Sequence, residues 1–187
     1  MLLSLYLTVS GSVMMGRQTM ENIAILEGKQ RYFSDNLSDE LGLVLYQAVN
    51  QSDPLAKERI LLGAMQRWPD ALDTYIALYK LYFRTARYRD AERQVWRTLT
   101  EAARQGGFRR NYRLLTADSA PWLEDKSVAR LYLFSLKALG VIRLRQEKVV
   151  RAHQVLSKLL ELDPADEIGG SNFLLIAERF IEEELDG

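Results

Sequence analysis

From Leu37 to Leu185 apolar residues return at every third or fourth place, and the four prolines, Pro54, Pro69, Pro121 and Pro164, fall only between such stretches. A helix tolerates proline in its first turn and nowhere deeper. Period and punctuation together therefore prescribe a series of short helices. Leu37, Leu41, Val44, Leu45, Ala48 and Val49 mark the first. Asp53-Pro54 restarts the chain, with Asp as N-cap and Pro at the first helical position. Ile60, Leu61, Ala64 and Met65 give the second helix its face, and Trp68-Pro69 stops it. The pattern predicts a third helix over 70–85 and a fourth over 88–105, ended by Gly106-Gly107. A fifth is expected over 126–145 and a sixth over 148–162, stopped by Asp163-Pro164. Gly169-Gly170 reads as a loop, and 172–185 as a seventh helix. No stretch alternates with period two for long enough to compete as a strand.

The residue inventory narrows the chemistry. There is no cysteine, which removes disulfides, thiol nucleophiles and thiolate zinc sites. His153 is the one histidine, too few for a multi-histidine metal centre. Ser157 lies one turn from it, without an orienting acid or an oxyanion site. Neither Gly-Gly pair is followed by the Lys-Ser or Lys-Thr of a phosphate loop. Asp163, Asp166 and Glu167 lack the alternating ligands and central Gly of a calcium loop. The expectation is a chain that binds without turnover, with no catalytic residue, metal or cofactor.

Helices in pairs invite a search for repeats. Three frames emerge, 38–71, 72–105 and 133–166. In the third, Leu136, Leu139-Gly140, Ala152, Leu156 and Pro164 occupy a large–Leu-Gly–small–large–Pro pattern, with Arg143 at an aromatic position. The second has Tyr75, Leu78, Tyr82, Ala91 and Val95, with Tyr79 in place of the Gly. The first has Leu41, Val44, Leu45, Ala48, Leu61, Ala64 and Pro69, with Lys57 at the small position. Small residues belong where two helices approach closely, and large ones fill the gaps between. The chain resembles the tetratricopeptide-repeat family, whose unit is a helix pair of about 34 residues. That resemblance implies an all-α superhelix: an N-terminal extension (1–36), three repeats, an insertion (106–132) and a capping helix with a polar outer face. Phe173, Leu174, Ile176, Ala177, Phe180 and Ile181 would form the buried face of that cap.

In this family the first helices of successive repeats line a groove that holds a peptide or protein partner. The resemblance assigns the lining to Asp39, Gly42, Tyr46, Val49, Asp73, Ile76, Lys80, Phe83, Phe134, Lys137, Val141 and Leu144. Tyr46, Ile76, Lys80, Phe83, Arg84, Lys137 and Val141 are the expected partner-binding residues. An apolar segment carrying some acid would suit such a lining. The Asn residues used by carboxylate-gripping relatives are missing. The order of parts is also similar to the small tetratricopeptide chaperones of type III secretion, the narrower alternative.

Charge is neutral overall, with 25 cations and 25 acids, but it is segregated. Residues 84–113 hold nine Arg against Asp90, Glu92 and Glu101, and 161–187 hold nine acids against Arg179. Arg109, Arg110, Arg113 and Trp122 form a second candidate surface in the insertion, where rings and guanidinium groups suit single-stranded nucleic acid. The competing reading places those aromatics in the core. Residues 1–15 are apolar with no cation before Arg17, unlike a secretory signal. A cytoplasmic chain is expected, with export or anchoring through 1–15 as the minor alternative. The apolar start and the segregated charges also suggest a homodimer.

Overall fold

The computed structural model describes residues 37–125 and 127–186, with side chains as far as residue 183. They form α1 (Asp39–Asn50), α2 (Pro54–Arg67), α3 (Leu72–Arg84), α4 (Tyr88–Gly106), α5 (Val128–Arg145), α6 (Val149–Leu162) and α7 (Ser171–Asp186). Two single 3₁₀ turns, Tyr112–Leu114 and Ala117–Ser119, lie between α4 and α5. There is no strand among the described residues, and no helix there is long and apolar enough to cross a membrane. The expected extension, 1–36, lies outside the described residues.

The helix ends follow local chemistry. The Asp53 carboxylate accepts from the amides of Leu55 (3.2 Å) and Ala56 (3.1 Å), with Pro54 as the first helical residue. Ser38 and Ser127 cap α1 and α5 through their hydroxyls. Gly107 closes α4 at φ 69°, a conformation that penalises any side chain.

Each helix packs on the next, as αα-hairpins joined by short turns, and α7 also touches α5. The repeat frames reappear in the backbone. Ala86 (φ 57°) and Glu147 (φ 61°) take the same frame position, between α3 and α4 and between α5 and α6. In both turns an amide reaches back five residues, Arg87 to the Tyr82 carbonyl (2.8 Å) and Lys148 to the Arg143 carbonyl (2.9 Å). Trp68 (φ −127°, ψ 72°) and Asp163 (φ −132°, ψ 70°), each just before a proline, end α2 and α6 in one conformation.

The closest approach of a hairpin is at Gly140. A methyl group there would lie 2.6 Å from Leu156 Cγ and Cδ2, so α5 and α6 meet through a missing side chain. Arg143, where the repeat has an aromatic, is buried. Its guanidinium lies 5.6 Å from the Trp96 ring and its Nε donates to Glu92 (3.2 Å), which also accepts from Lys148 (3.0 Å). Burial pushes the Glu92 carboxyl upward, but the bonds from Lys148 and Arg143 outweigh it and hold the group below the usual range. α4 is thus tied to the α5–α6 turn by charge as well as by packing.

Three expectations are corrected. The insertion forms 3₁₀ turns rather than a helix over 109–115. Trp122 is not a surface residue: it is 4% exposed, and its indole nitrogen donates to the Thr116 carbonyl (2.8 Å). Its ring meets Phe108 (5.1 Å) and Tyr132 (5.9 Å), so the insertion folds inward because its large rings need cover. The capping helix lacks a polar outer face. Ala177 is buried and Phe173 and Leu174 half-buried, but Leu175, Ile176 and Phe180 are exposed. Its apolar residues spread over more than the one stripe that α6 covers.

Removing Glu92 alone leaves Arg143 buried beside apolar neighbours. Glu92→Ala should cost about 2–4 kcal/mol in urea unfolding, and adding Arg143→Met should restore most of it. Equal and additive losses would show that the pair is not coupled.

Candidate functional site

α3 and α5 carry buried residues all round, so the first helices of the second and third repeats do not line one open groove. Val141 is 6% exposed, which removes it as a contact residue. Ile76, at 2%, has no exposed side chain either, but it forms the floor of a narrower feature.

That feature is a cleft of about 420 Å³ between α1, α2 and α3. Its apolar lining includes Leu45, Leu61, Ile76 and Leu81, and Lys57, Lys80, Arg84 and Asp73 also face it. Ile76, Lys80 and Arg84 of the expected binding residues therefore come together. Tyr46, Phe83 and Lys137 are half-buried elsewhere. Phe83 packs edge-on to Tyr88 at 5.6 Å.

Lys57 is the residue that the expectation missed. It stands where the repeat calls for a small side chain, in the helix that closes the first hairpin. The equivalent Ala91 and Ala152 are fully buried. Lysine cannot be buried there without losing water from its ammonium, so it sits at the edge and α1, α2 and α3 pack less extensively than the later helices. Lys57 Nζ donates to the Val49 carbonyl at 3.4 Å. Burial, and then the charge of Arg84, lower its pKa. Burial likewise lowers that of Lys80, with Lys137 adding to the shift and Asp73 opposing it. These cations destabilise one another and raise the local affinity for an anion.

Lys137 has a structural duty. Its ammonium donates to the Ile168 carbonyl in the turn between α6 and α7 and lies 5.5 Å from the Phe134 ring. Acids organise the same turn. Asp163 accepts from the amides of Glu167 (3.1 Å) and Ile168 (2.7 Å), and Asp166 from the Ser171 amide (3.2 Å) and hydroxyl (2.5 Å). Burial works to raise the Asp166 pKa, yet the bonds from Ser171 and Gly170 and the charge of Lys137 bring it below the usual value.

Much of the Arg-rich stretch is engaged locally. Arg87 pairs with Glu58 (2.5 Å) and Asp90 (2.9 Å), Arg93 with Asp90 (3.1 Å), and Arg104 with Glu101 (2.5 Å) and Asp70 (3.2 Å). Tyr82, Tyr112 and Trp122 are core residues, so these rings offer no stacking platform. Arg109, Arg110 and Arg113 are exposed, and Arg113 donates to Gln154 (3.3 Å).

No family model, no curated protein and no solved structure matches this chain.

Asp166 gives a pH test. Its folded pKa is depressed, so its stabilisation is complete above the unfolded carboxylate value and is lost as pH falls through the folded one. Asp166→Asn should cost about 1 kcal/mol at pH 7, and the gap to the wild type should close below about pH 4. A gap in urea midpoints that ignores pH would exclude an ionised anchor.

Proposed function

We propose that the chain is a helical-repeat adaptor of the tetratricopeptide kind. It holds an apolar, acid-bearing segment of a protein partner in the α1–α3 cleft. The observation that carries this reading is the set of three cations, Lys57, Lys80 and Arg84, around an apolar floor of Leu61, Ile76 and Leu81. Apolar side chains entering the cleft lose water, and a carboxylate beside them relieves the repulsion among the cations. The repeated turns at Ala86 and Glu147 and the shared ends at Trp68 and Asp163 support the repeat assignment. The engaged arginines and buried rings favour a protein partner over nucleic acid.

A second contact is suggested by the exposed Leu175, Ile176 and Phe180 on α7. A row of this kind suits another apolar helix, including that of a second copy. If it drives dimerisation, Phe180→Glu should yield a monomer by light scattering at tens of micromolar, and added salt should not dissociate the wild type. A wild-type monomer at all salt concentrations would remove the dimer.

The cleft is tested with an array of short peptides whose apolar residues are flanked by Glu or Asp. The full chain should retain acid-flanked members, and Lys57→Glu/Arg84→Glu should weaken them at least about tenfold, about 1.4 kcal/mol, with unchanged circular dichroism. Equal retention by the two proteins would overturn the assignment.

A further inference from the structure

We propose that the α1–α3 cleft is an internally regulated site, occupied by residues 20–28 of the same chain until a partner displaces them. The proposal rests on reading the cleft as a peptide site. Residues 20–28 lie outside the described part of the chain and immediately upstream of it. They contain Ile23, Ala24, Ile25 and Leu26 in one run, with Glu21 and Glu27 on either side and no Lys or Arg. That is the chemistry the lining asks for: aliphatic side chains for Leu45, Leu61, Ile76 and Leu81, and carboxylates for Lys57, Lys80 and Arg84. Residues 1–16 are also apolar but carry no acid, so they answer only the floor. The acids at 182–184 have a single apolar neighbour on each side, Ile181 and Leu185, and no aliphatic run.

Reach permits the contact. The description begins at Leu37, and the cleft starts about two turns into α1, at Leu45, Ala48 and Val49. From the start of α1 to Val49 is about 15–18 Å along the helix. Residues 28–36 can span up to about 30 Å when extended. A tether of this length holds the segment at a high effective concentration, commonly millimolar. A cleft of about 420 Å³ lies at the small end of ligand sites, room for a few side chains rather than a folded surface. The depressed pKa of Lys57, from burial and from Arg84, shows the cost that a carboxylate at this spot would relieve.

The absence of cysteine makes the test direct, because an introduced pair reports on one approach alone. The full chain is made with Ala24→Cys and Ala77→Cys, Ala77 being in the cleft lining. A control carries Ala24→Cys and Val150→Cys, on the exposed side of α6. In a glutathione buffer the first pair should close within the monomer, with an effective concentration at least about tenfold above the control. Equal closure of the two pairs overturns the proposal, and so do disulfide-linked dimers, which would give the cleft to a second copy. A labelled peptide of residues 18–30 supplies the second arm. It should bind the full chain carrying Glu21→Lys and Glu27→Lys about tenfold more tightly than the wild type, since an occupied site taxes the incoming ligand. Equal binding to the two proteins overturns the internal occupant and keeps the cleft as a peptide site. Binding to neither, together with equal closure of the two pairs, overturns both readings.

Discussion

The close approach of α5 and α6 sets the terms for the rest of the molecule. At Gly140 there is no room for a methyl group against Leu156, and Ala152 across the hairpin is fully buried. Two helices can approach so closely only where side chains are small, and the contact area gained is what holds a stack without a single central core. α3 and α4 reach a similar closeness by another route. Ala91 is small and buried, while Tyr79, in place of a glycine, extends toward Ser135 of α5 and bridges to the next repeat. The first hairpin has the backbone plan without the small residue. Lys57 keeps it looser, and the cleft lies there. The departure from the pattern and the candidate site are consequences of one substitution in the repeat.

Charge in this chain works mostly at turns. Arg87 joins Glu58 and Asp90 beside Tyr82, whose hydroxyl donates to the same Glu58 (2.7 Å), so α2 is fastened to the α3–α4 turn. Glu92 fastens α4 to the α5–α6 turn through Arg143 and Lys148. Asp163 and Asp166 cap the α6–α7 turn with their carboxylates. The excess of arginine over 84–113 is therefore a poor guide to surface potential, because its acidic partners come from distant parts of the sequence.

This explains what could be read before any coordinates. Helix ends are decided within a few residues, by Asp53-Pro54, Trp68-Pro69, Gly107 and Asp163-Pro164, and there the expected and observed boundaries agree within two residues. Exposure is decided between elements. Ile76 and Val141 satisfy a groove pattern, but their fate depends on how far neighbouring helices stand apart. Trp122 sits among arginines in the sequence, and only the fold brings Phe108 and Tyr132 to its faces. Lys57 was visible as an irregularity. A misfit at a close-approach position opens space and supplies a polar group at once, so such a misfit deserved reading as a possible site.

The cleft's size limits the kind of binding it can support. Two or three aliphatic side chains buried there contribute about 1.5–3 kcal/mol each at most. Ordering a free segment and losing its translational freedom offset several kcal/mol of that sum. Apolar contacts alone therefore leave an association no better than about millimolar, near 4 kcal/mol. A carboxylate among Lys57, Lys80 and Arg84 adds more than an isolated surface ion pair, because it lowers the cations' mutual repulsion as well as making its own contact. Selectivity in such a site resides in the acid and its distance from the apolar residues, with the floor acting as a general attractor. Weak gross affinity also makes the tether decisive: a segment joined to α1 competes at an effective concentration that a free peptide of equal contacts must match in solution.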